Sequence, residues 1–208
     1  MSSSASDYRM GILGGTFDPI QIAHLVIAEQ AWVCLQLQEV LFVPAGDPWR
    51  KWGQGVTEVE HRVAMVRLAI ISNDHFRLSL IEVERPGPSY SVDTVEQLQR
   101  ELGQAADLYF IMGMDALFDL PNWKEPERLS QLCTLVVMAR PGYDRSGLKA
   151  LDVQVAGLSE RLLLLEAPLL DISSSDIRHR VAQGLPIRYL VPDDVERYIR
   201  EHGLYQAE

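Results

Sequence analysis

Apolar runs of strand length alternate along this chain with segments of helical period. Residues 8–13 form the first run, a helical segment follows over about 23–37, and a second strand at 40–43 stops at Pro44. This alternation is typical of a parallel sheet covered by helices. The sequence therefore predicts an α/β fold, a doubly wound, Rossmann-like parallel sheet with helices on both faces.

The alternation continues to the end of the chain. We expect residues 1–7 to be a disordered leader and residues 8–208 to form a single domain, with a small C-terminal helical part at about 171–205. Further strands are predicted at 76–83, 108–112, 134–139 and 162–165, and further helices at 91–102, just before Pro121, and at 127–132, 174–183 and 193–202. Residues 140–158 have weak periodicity, and we interpret them as a variable connection.

One more helix is predicted after the loop at 45–56. Thr57 and Glu60 have the spacing of a capping box, which marks the start of a helix. Its apolar stripe is predicted to contain Ala64, Met65, Leu68 and Ala69.

Composition limits the classes of partner. The chain has 208 residues, of which 47% are hydrophobic and 23% charged, with a formal net charge of −10. Broad nucleic-acid surfaces need clustered Lys and Arg, so we expect no nucleic acid and infer that an anionic small ligand must meet local donors.

No uncharged apolar run approaches the roughly 20 residues that span a bilayer. With no signal-like start either, we expect a cytoplasmic protein without a membrane partner. Whether it forms a homo-oligomer is left open.

The two cysteines indicate no disulfide or zinc site. Cys34 and Cys133 lie in apolar runs and have no CxxC or His-rich spacing. We expect both to be buried thiols.

The strongest local signal is the segment at 14–24, between the first strand and the first helix. Gly14 and Gly15 let the backbone turn sharply and approach a ligand, and the helix that follows offers free N–H groups to phosphate. Ligands of doubly wound sheets bind beyond the carboxyl ends of the strands, where this turn lies. By itself the pair could be only a tight turn, and His24 could equally be a core histidine.

Two more segments have features of binding sites. The loop at 45–56 contains two Trp and two cations between Gly and Pro residues, as binding loops often do. Downstream, Ser173 precedes a predicted helix with Ser174 and Arg178 in its first turn, which would make a second anion site. Alone, this segment would indicate only a capped helix.

Taken together, the two motifs resemble the nucleotidyltransferase superfamily. Its members have a GGTFDPxHxGH-type motif after the first strand and an ISSTxIR-type motif at a late helix start, and this chain agrees at 14–19, His24, 172–174, Ile177 and Arg178. The resemblance extends to the nicotinate mononucleotide adenylyltransferase branch through the segments 48–51, 61–62, 87–94, 113–115, 120–123, 140–142 and 203–205. It implies transfer of an adenylyl group from ATP, with Mg²⁺ on the phosphates, to nicotinate mononucleotide, which yields deamido-NAD and pyrophosphate.

The resemblance also assigns roles on the ATP side. His24 would donate to the phosphate that is transferred, and Arg178 would hold the outgoing phosphates together with Ser174. The remaining nucleotide-binding positions implied are Gly14, Gly15, Thr16, Phe17, Gly113, Asp115 and Ser173.

On the acceptor side, Lys51 would neutralise the acceptor phosphate and Trp123 would stack on the pyridine ring. Thr94 and nearby amides would meet the carboxylate, and Tyr90 and Arg140 are weaker candidates. Without the resemblance, Lys51 would be interpreted as a solvated lysine and Trp123 as a packing residue.

The chain departs from the family motif at the catalytic turn. Gln21 stands where the family has its first histidine, and Ala23 where it has glycine. An amide can donate a hydrogen bond but never carries a positive charge, and loss of one charge-stabilising donor can cost about 10²–10³ in rate. Gln21 could be a natural variant that works, an engineered substitution or a sign of lost catalysis. We predict that Gln21→His raises turnover at least tenfold.

Two other functions remain open from the sequence. The acceptor could be phosphopantetheine or another phosphorylated small molecule, although Trp123 and the segment at 90–94 disfavour it. Gln21 also leaves open a catalytically impaired nucleotide-binding protein.

Overall fold

The structure is a computed structural model that describes residues 8–53, 55–103, 106–139, 147–168 and 170–207. Its six strands form one parallel sheet in the order β3-β2-β1-β4-β5-β6. The strands are β1 (Tyr8–Gly15), β2 (Glu39–Pro44), β3 (Phe76–Leu78), β4 (Ala106–Gly113), β5 (Thr134–Ala139) and β6 (Leu162–Glu166). The predicted doubly wound α/β fold is therefore confirmed. The strand order reverses between β1 and β4, the kind of place where such sheets bind ligands.

Helices cover both faces of the sheet. They are α1 (Ile22–Leu35), α2 (Val59–Ile70), α3 (Ile81–Glu84), α4 (Ser91–Leu102), α5 (Met114–Asp119), α6 (Pro126–Leu132), α7 (Leu148–Gln154), α8 (Ser174–Ala182) and α9 (Asp193–Glu201). Helices α1, α2, α8 and α9 share one hydrophobic cluster with the sheet, and α4, α5, α6 and α7 share the other. The C-terminal helices thus pack on the face that carries α1. No helix within the described ranges is long and apolar enough to cross a membrane.

The predicted strand at 76–83 is wrong beyond its third residue. β3 pairs with β2 only at Phe76, Arg77 and Leu78, and the chain then turns into α3. The buried side chains of Ile81 and Glu82 are neighbours in sequence, so they belong to a short helix rather than to an alternating strand.

The start of α2 also differs from the prediction. Its N-cap is Glu58, with no side-chain cap. Thr57 instead makes tertiary contacts: its N–H donates to Asp18 Oδ2 at 3.3 Å, and its carbonyl accepts from Arg62 Nε at 2.9 Å. The buried face of α2 contains Arg62, Met65, Val66, Ala69 and Ile70, whereas Ala64 and Leu68 are only partly buried.

The two cysteines differ. Cys133 is buried, and burial raises the pKa of its thiol to about 12. Cys34 is exposed, against the prediction, because it lies near the C-terminal end of α1 on the side away from the sheet.

Candidate active site

A cavity of about 480 Å³ opens at the carboxyl ends of β1 and β4. Residues from four separate segments meet there because parallel strands all end at the same edge of the sheet. Nine of the predicted site residues line it: Gly14, Gly15, Thr16, His24, Lys51, Tyr90, Gly113, Asp115 and Trp123. Phe17, Gln21, Thr94, Ser173, Ser174 and Arg178 do not line it, and Arg140 lies outside the described residues.

The turn after β1 brings backbone to the cavity wall. A Cβ on Gly15 would lie 3.1 Å from the ring of Phe17, so the turn has little room for a side chain there. Phe17 has φ +51°, is buried, and places its ring edge-on to His24 with 5.1 Å between centroids. Phe17 thus supports His24 from behind while the backbone at 14–16 faces the cavity.

His24 has a defined tautomer. Its Nδ1 accepts a hydrogen bond from the backbone N–H of Gln21 at 3.1 Å, as part of a capping box at the start of α1. An accepting Nδ1 leaves the proton of a neutral imidazole on Nε2. Burial, and then the charge of Lys51, lowers the pKa of His24 to about 4. His24 is therefore neutral at pH 7 and has one N–H to donate.

Both ends of the Gln21 amide make hydrogen bonds within the protein. Its Oε1 accepts from Ala23 N at 2.6 Å, and its Nε2 donates to the carbonyl of Ile172 at 2.9 Å. The first contact caps α1 and the second joins the turn to the segment before α8. A structural role for this amide was not predicted from the sequence.

The late motif also binds the turn. Ser174 Oγ donates to the carbonyl of Pro19 at 2.8 Å, and Arg178 Nη1 donates to the carbonyl of Asp18 at 2.7 Å. Ser173 is the N-cap of α8 and accepts from Asp176 N at 3.0 Å, as its spacing predicted. The two motifs that the sequence singled out are therefore hydrogen-bonded to each other.

Arg62 is a functional candidate to which the sequence analysis assigned no role. This buried guanidinium donates to the carbonyls of Thr16 at 2.9 Å, Ala45 at 2.7 Å, Gly46 at 3.3 Å and Thr57 at 2.9 Å. It thereby joins the turn after β1 to both ends of the loop at 45–56. The available signal was a cation at helical spacing from apolar residues on the buried face of α2.

Tyr205 holds the same turn from the C-terminal end. Its hydroxyl donates to Asp18 Oδ1 at 2.7 Å. Burial, with the nearby carboxylate of Asp18, raises the pKa of this phenol. Asp18 is itself buried, so the hydrogen bonds that its carboxylate accepts from Tyr205 and Thr57 lie inside the protein.

Lys51 is a cation of the cavity whose charge acts on His24. It ends a short 3₁₀ helix, Trp49–Lys51. Burial, and then the charge of Arg178, lowers its pKa, while Asp18 opposes the shift. The ammonium is thus partly desolvated and lies in a region of positive potential, which favours an anionic ligand.

Aromatic side chains form the other half of the cavity. Trp123 packs edge-on against Phe110, with 6.0 Å between centroids, and its Nε1 donates to Asp119 Oδ2 at 3.1 Å. The rings of Tyr90 and Trp49 lie 5.6 Å apart. A flat ring could be held between such groups by stacking.

Thr94 does not reach the cavity. It is fully buried, donates to Glu82 Oε1 at 2.6 Å and accepts from Arg85 Nη2 at 2.9 Å. Ser89 and Ser91, which the sequence analysis did not select, line the cavity in this region. Burial raises the pKa of Glu82, which also faces the cavity.

A match to a family model covers residues 12–180, and the model describes cytidylyltransferase-like proteins. The chain belongs to this family. Curated relatives named probable nicotinate-nucleotide adenylyltransferase include that of Roseiflexus sp., 52% identical over 97% of this chain and 100% of the relative. The relative from Thermomicrobium roseum is 48% identical over 96% and 92%. The expected place in the nucleotidyltransferase superfamily is confirmed.

Solved structures from the family have the same fold. The nicotinic acid mononucleotide adenylyltransferase of Plasmodium falciparum, complexed with NaAD, superposes with a TM-score of 0.76 at 22% identity, over 95% of this chain and 97% of that one. A putative nicotinate-nucleotide adenylyltransferase from Vibrio parahaemolyticus gives 0.69 at 17% identity, over 97% of both chains.

Proposed function

We propose that this chain transfers the adenylyl group of ATP to nicotinate mononucleotide and releases pyrophosphate, a step of NAD biosynthesis. The observation that carries the proposal is the neutral His24, whose Nε2–H is free to donate, in a cavity that also contains Lys51 and the glycine turn. Relatives at 40–52% identity named for this activity support it. They also disfavour phosphopantetheine as the acceptor and a protein without catalysis.

The reaction needs positioning and charge stabilisation more than covalent chemistry. A phosphate oxygen of the acceptor attacks the α-phosphorus of ATP, and the bond from that phosphorus to the bridging oxygen of the β-phosphate breaks. His24 would donate its Nε2–H to an oxygen of the α-phosphate as charge develops there. Lys51 would hold the acceptor phosphate and offset the repulsion between the two anions.

Arg178 and Ser174 contribute to the nucleotide side indirectly in this geometry. Both donate to carbonyls of the turn, which holds its backbone in place beside the cavity. Gly113 and Asp115 would meet the ribose at the end of β4. Trp123 and Tyr90 would hold the pyridine ring, with Ser89 and Ser91 nearer than Thr94 to its carboxylate.

Magnesium fits this site as a companion of the nucleotide phosphates. Among the described residues, no group of three or more His, Cys, Asp or Glu side chains could hold a metal ion. Mg²⁺ is commonly held by substrate phosphates and water, and when bound it would neutralise phosphate charge. The cytoplasmic location stays a prediction, which cell fractionation would check, and sedimentation equilibrium would establish whether the chain forms a homo-oligomer.

The test is pyrophosphate release from ATP and Mg²⁺ with nicotinate mononucleotide, nicotinamide mononucleotide or phosphopantetheine. We expect turnover with the nicotinate substrate, and a loss of about 10²–10³ in kcat for His24→Ala, since one donor to developing charge is removed. His179→Ala, an exposed histidine on α8, is the matched control. Turnover with phosphopantetheine alone, or an unchanged rate for His24→Ala, would contradict the proposal.

A further inference from the structure

One carboxylate connects the two sides of the acceptor half of the cavity. Asp119, the last residue of α5, accepts from Trp123 Nε1 at 3.1 Å through Oδ2. The same Oδ2 forms a salt bridge with Arg50 Nη2 at 2.5 Å. Asp119, Arg50 and Trp123 all line the cavity.

Arg50 belongs to the short 3₁₀ helix that also supplies Lys51. On one side of this 3₁₀ helix the ring of Trp49 contacts Tyr90, and on the other side Arg50 contacts Asp119. The loop that carries Lys51 is therefore in contact with Tyr90 on one side and, through Asp119, with Trp123 on the other. A shift of Asp119 would therefore act on the indole of Trp123 and on the contact that Arg50 makes from the Lys51 loop.

Fold stability does not account well for this arrangement. The side chains of Arg50 and Asp119 are 41% and 28% exposed, and ion pairs of such exposure contribute about 0–1 kcal/mol. An indole N–H, in contrast, needs a directed acceptor when its ring is partly buried, and that acceptor sets the plane of the ring. The contacts of Asp119 therefore matter more for where they place Arg50 and Trp123 than for the stability of the fold.

We propose that Asp119 is a positioning residue for the acceptor: it sets the plane of Trp123 and, through Arg50, couples that ring to the loop that carries Lys51. The inference rests on the proposed function, in which Trp123 stacks on the pyridine ring and Lys51 meets the acceptor phosphate. One carboxylate then aligns the two ends of the same substrate. ATP, which meets the turn at 14–24, is held independently.

The test measures the KM for nicotinate mononucleotide and the KM for ATP in four variants. Asp119→Ala removes both contacts, together with the hydrogen bond that Asp119 Oδ1 accepts from Asn122 Nδ2 at 3.0 Å, and should raise the acceptor KM about tenfold, because hydrogen bonds to charged groups contribute about that factor or more. Asp119→Asn keeps an acceptor for Trp123 but loses the ion pair, and Arg50→Gln loses the ion pair together with the contact of the guanidinium with the Trp49 ring. Each should raise it about threefold, while the KM for ATP stays within about twofold.

The double variant Asp119→Asn with Arg50→Gln separates coupling from independent effects. Coupled residues give about the same rise as either single change, whereas independent residues multiply to about ninefold. Glu96→Gln is the matched control, because its salt bridge with Arg128 has similar exposure and neither residue lines the cavity. This control should change neither KM.

Several results would overturn the inference. Equal rises in both KM values would indicate general damage, and multiplied effects in the double variant would exclude coupling. Wild-type turnover with an unaffected Asp119→Ala would sink the inference and leave the proposed function standing. A wild-type protein that neither turns over nor binds nicotinate mononucleotide by calorimetry would sink both. If Asp119→Ala fails to fold, the Asn and Gln variants still decide the question.

Discussion

The turn at 16–24 and the loop at 47–53 line the same cavity but are held by opposite kinds of contact. The turn is held by partly buried donors from distant parts of the chain, as with Arg178 on the carbonyl of Asp18 and Tyr205 on its carboxylate. The loop begins with hydrogen bonds between Asp47 and the buried Ser89, and beyond them it is held at its surface by aromatic contacts and an exposed ion pair, with Trp52 61% exposed.

This difference indicates which part of the cavity changes shape when substrates bind. Polar contacts shielded from solvent are costly to break, so we infer that the turn is preformed. Few buried contacts hold the loop, and such segments open at low cost in free energy. We infer that the loop adjusts to the acceptor while the turn does not.

The largest expected effect comes from Arg62, which fixes the turn and the base of the loop. Arg62→Met leaves four carbonyls without their donor and removes one of the cations near Asp18. We expect the free energy of unfolding to fall by about 3–5 kcal/mol, as measured by urea denaturation. Arg67→Met, on the exposed side of the same helix, should change it by no more than about 0.5 kcal/mol. Similar losses in the free energy of unfolding for Arg62→Met and Arg67→Met would contradict a special role of the buried arginine.

The neutral state of His24 gives a pH prediction. Its pKa is about 4 in the folded protein and 6.5 when unperturbed, so the unfolded chain binds more protons between these values. Stability from this group is therefore present above pH 6.5 and is lost as pH falls towards 4, by up to about 3 kcal/mol. His24→Gln keeps an acceptor for the capping box, so its stability should fall less between pH 7 and 4.5. An NMR pKa of His24 near 6.5 would contradict the prediction.

Tyr205→Phe tests whether the C-terminal residues stabilise the turn. The change removes the donor to a buried carboxylate, so we expect a loss of about 1–3 kcal/mol in the free energy of unfolding and a lower kcat. Tyr189→Phe is the control, because Tyr189 is 76% exposed. Loss of stability without any change in kcat would show that the turn tolerates the missing contact.

Gln21 separates two views of the turn. If position 21 acts on the reacting phosphate, Gln21→His raises turnover at least tenfold, as predicted from the sequence. If its amide serves the cap and the bond to Ile172, Gln21→Ala costs about 1 kcal/mol of stability and Gln21→His leaves turnover nearly unchanged. Steady-state kinetics and thermal unfolding of both variants decide between them.

The smallest effect is expected in the loop. Arg50→Met should change the free energy of unfolding by less than about 1 kcal/mol, since its ion pair is exposed. Urea denaturation in parallel with Arg62→Met gives the comparison directly. A loss as large as that of Arg62→Met would mean that the loop is as firmly held as the turn.

The local part of the site could be predicted from sequence. Gly14 and Gly113 lie at the carboxyl ends of β1 and β4, His24 and Trp123 lie in the segments that follow, and parallel strands bring such residues to one edge. The same reasoning failed for Thr94, because a helical position near a motif does not say which face is turned towards the cavity. Its hydroxyl found a buried partner in Glu82 instead.

The amino-acid sequence by itself determined the alternation of strands and helices, the doubly wound sheet and the segments that supply the site, since these depend on local periodicity and turn chemistry. Only the tertiary structure decided what holds the site together. The contacts of Arg178 and Tyr205 with Asp18 join residues 160 and 187 positions apart. No local pattern records such a partner, because the burial that makes the contact valuable exists only after the chain has folded.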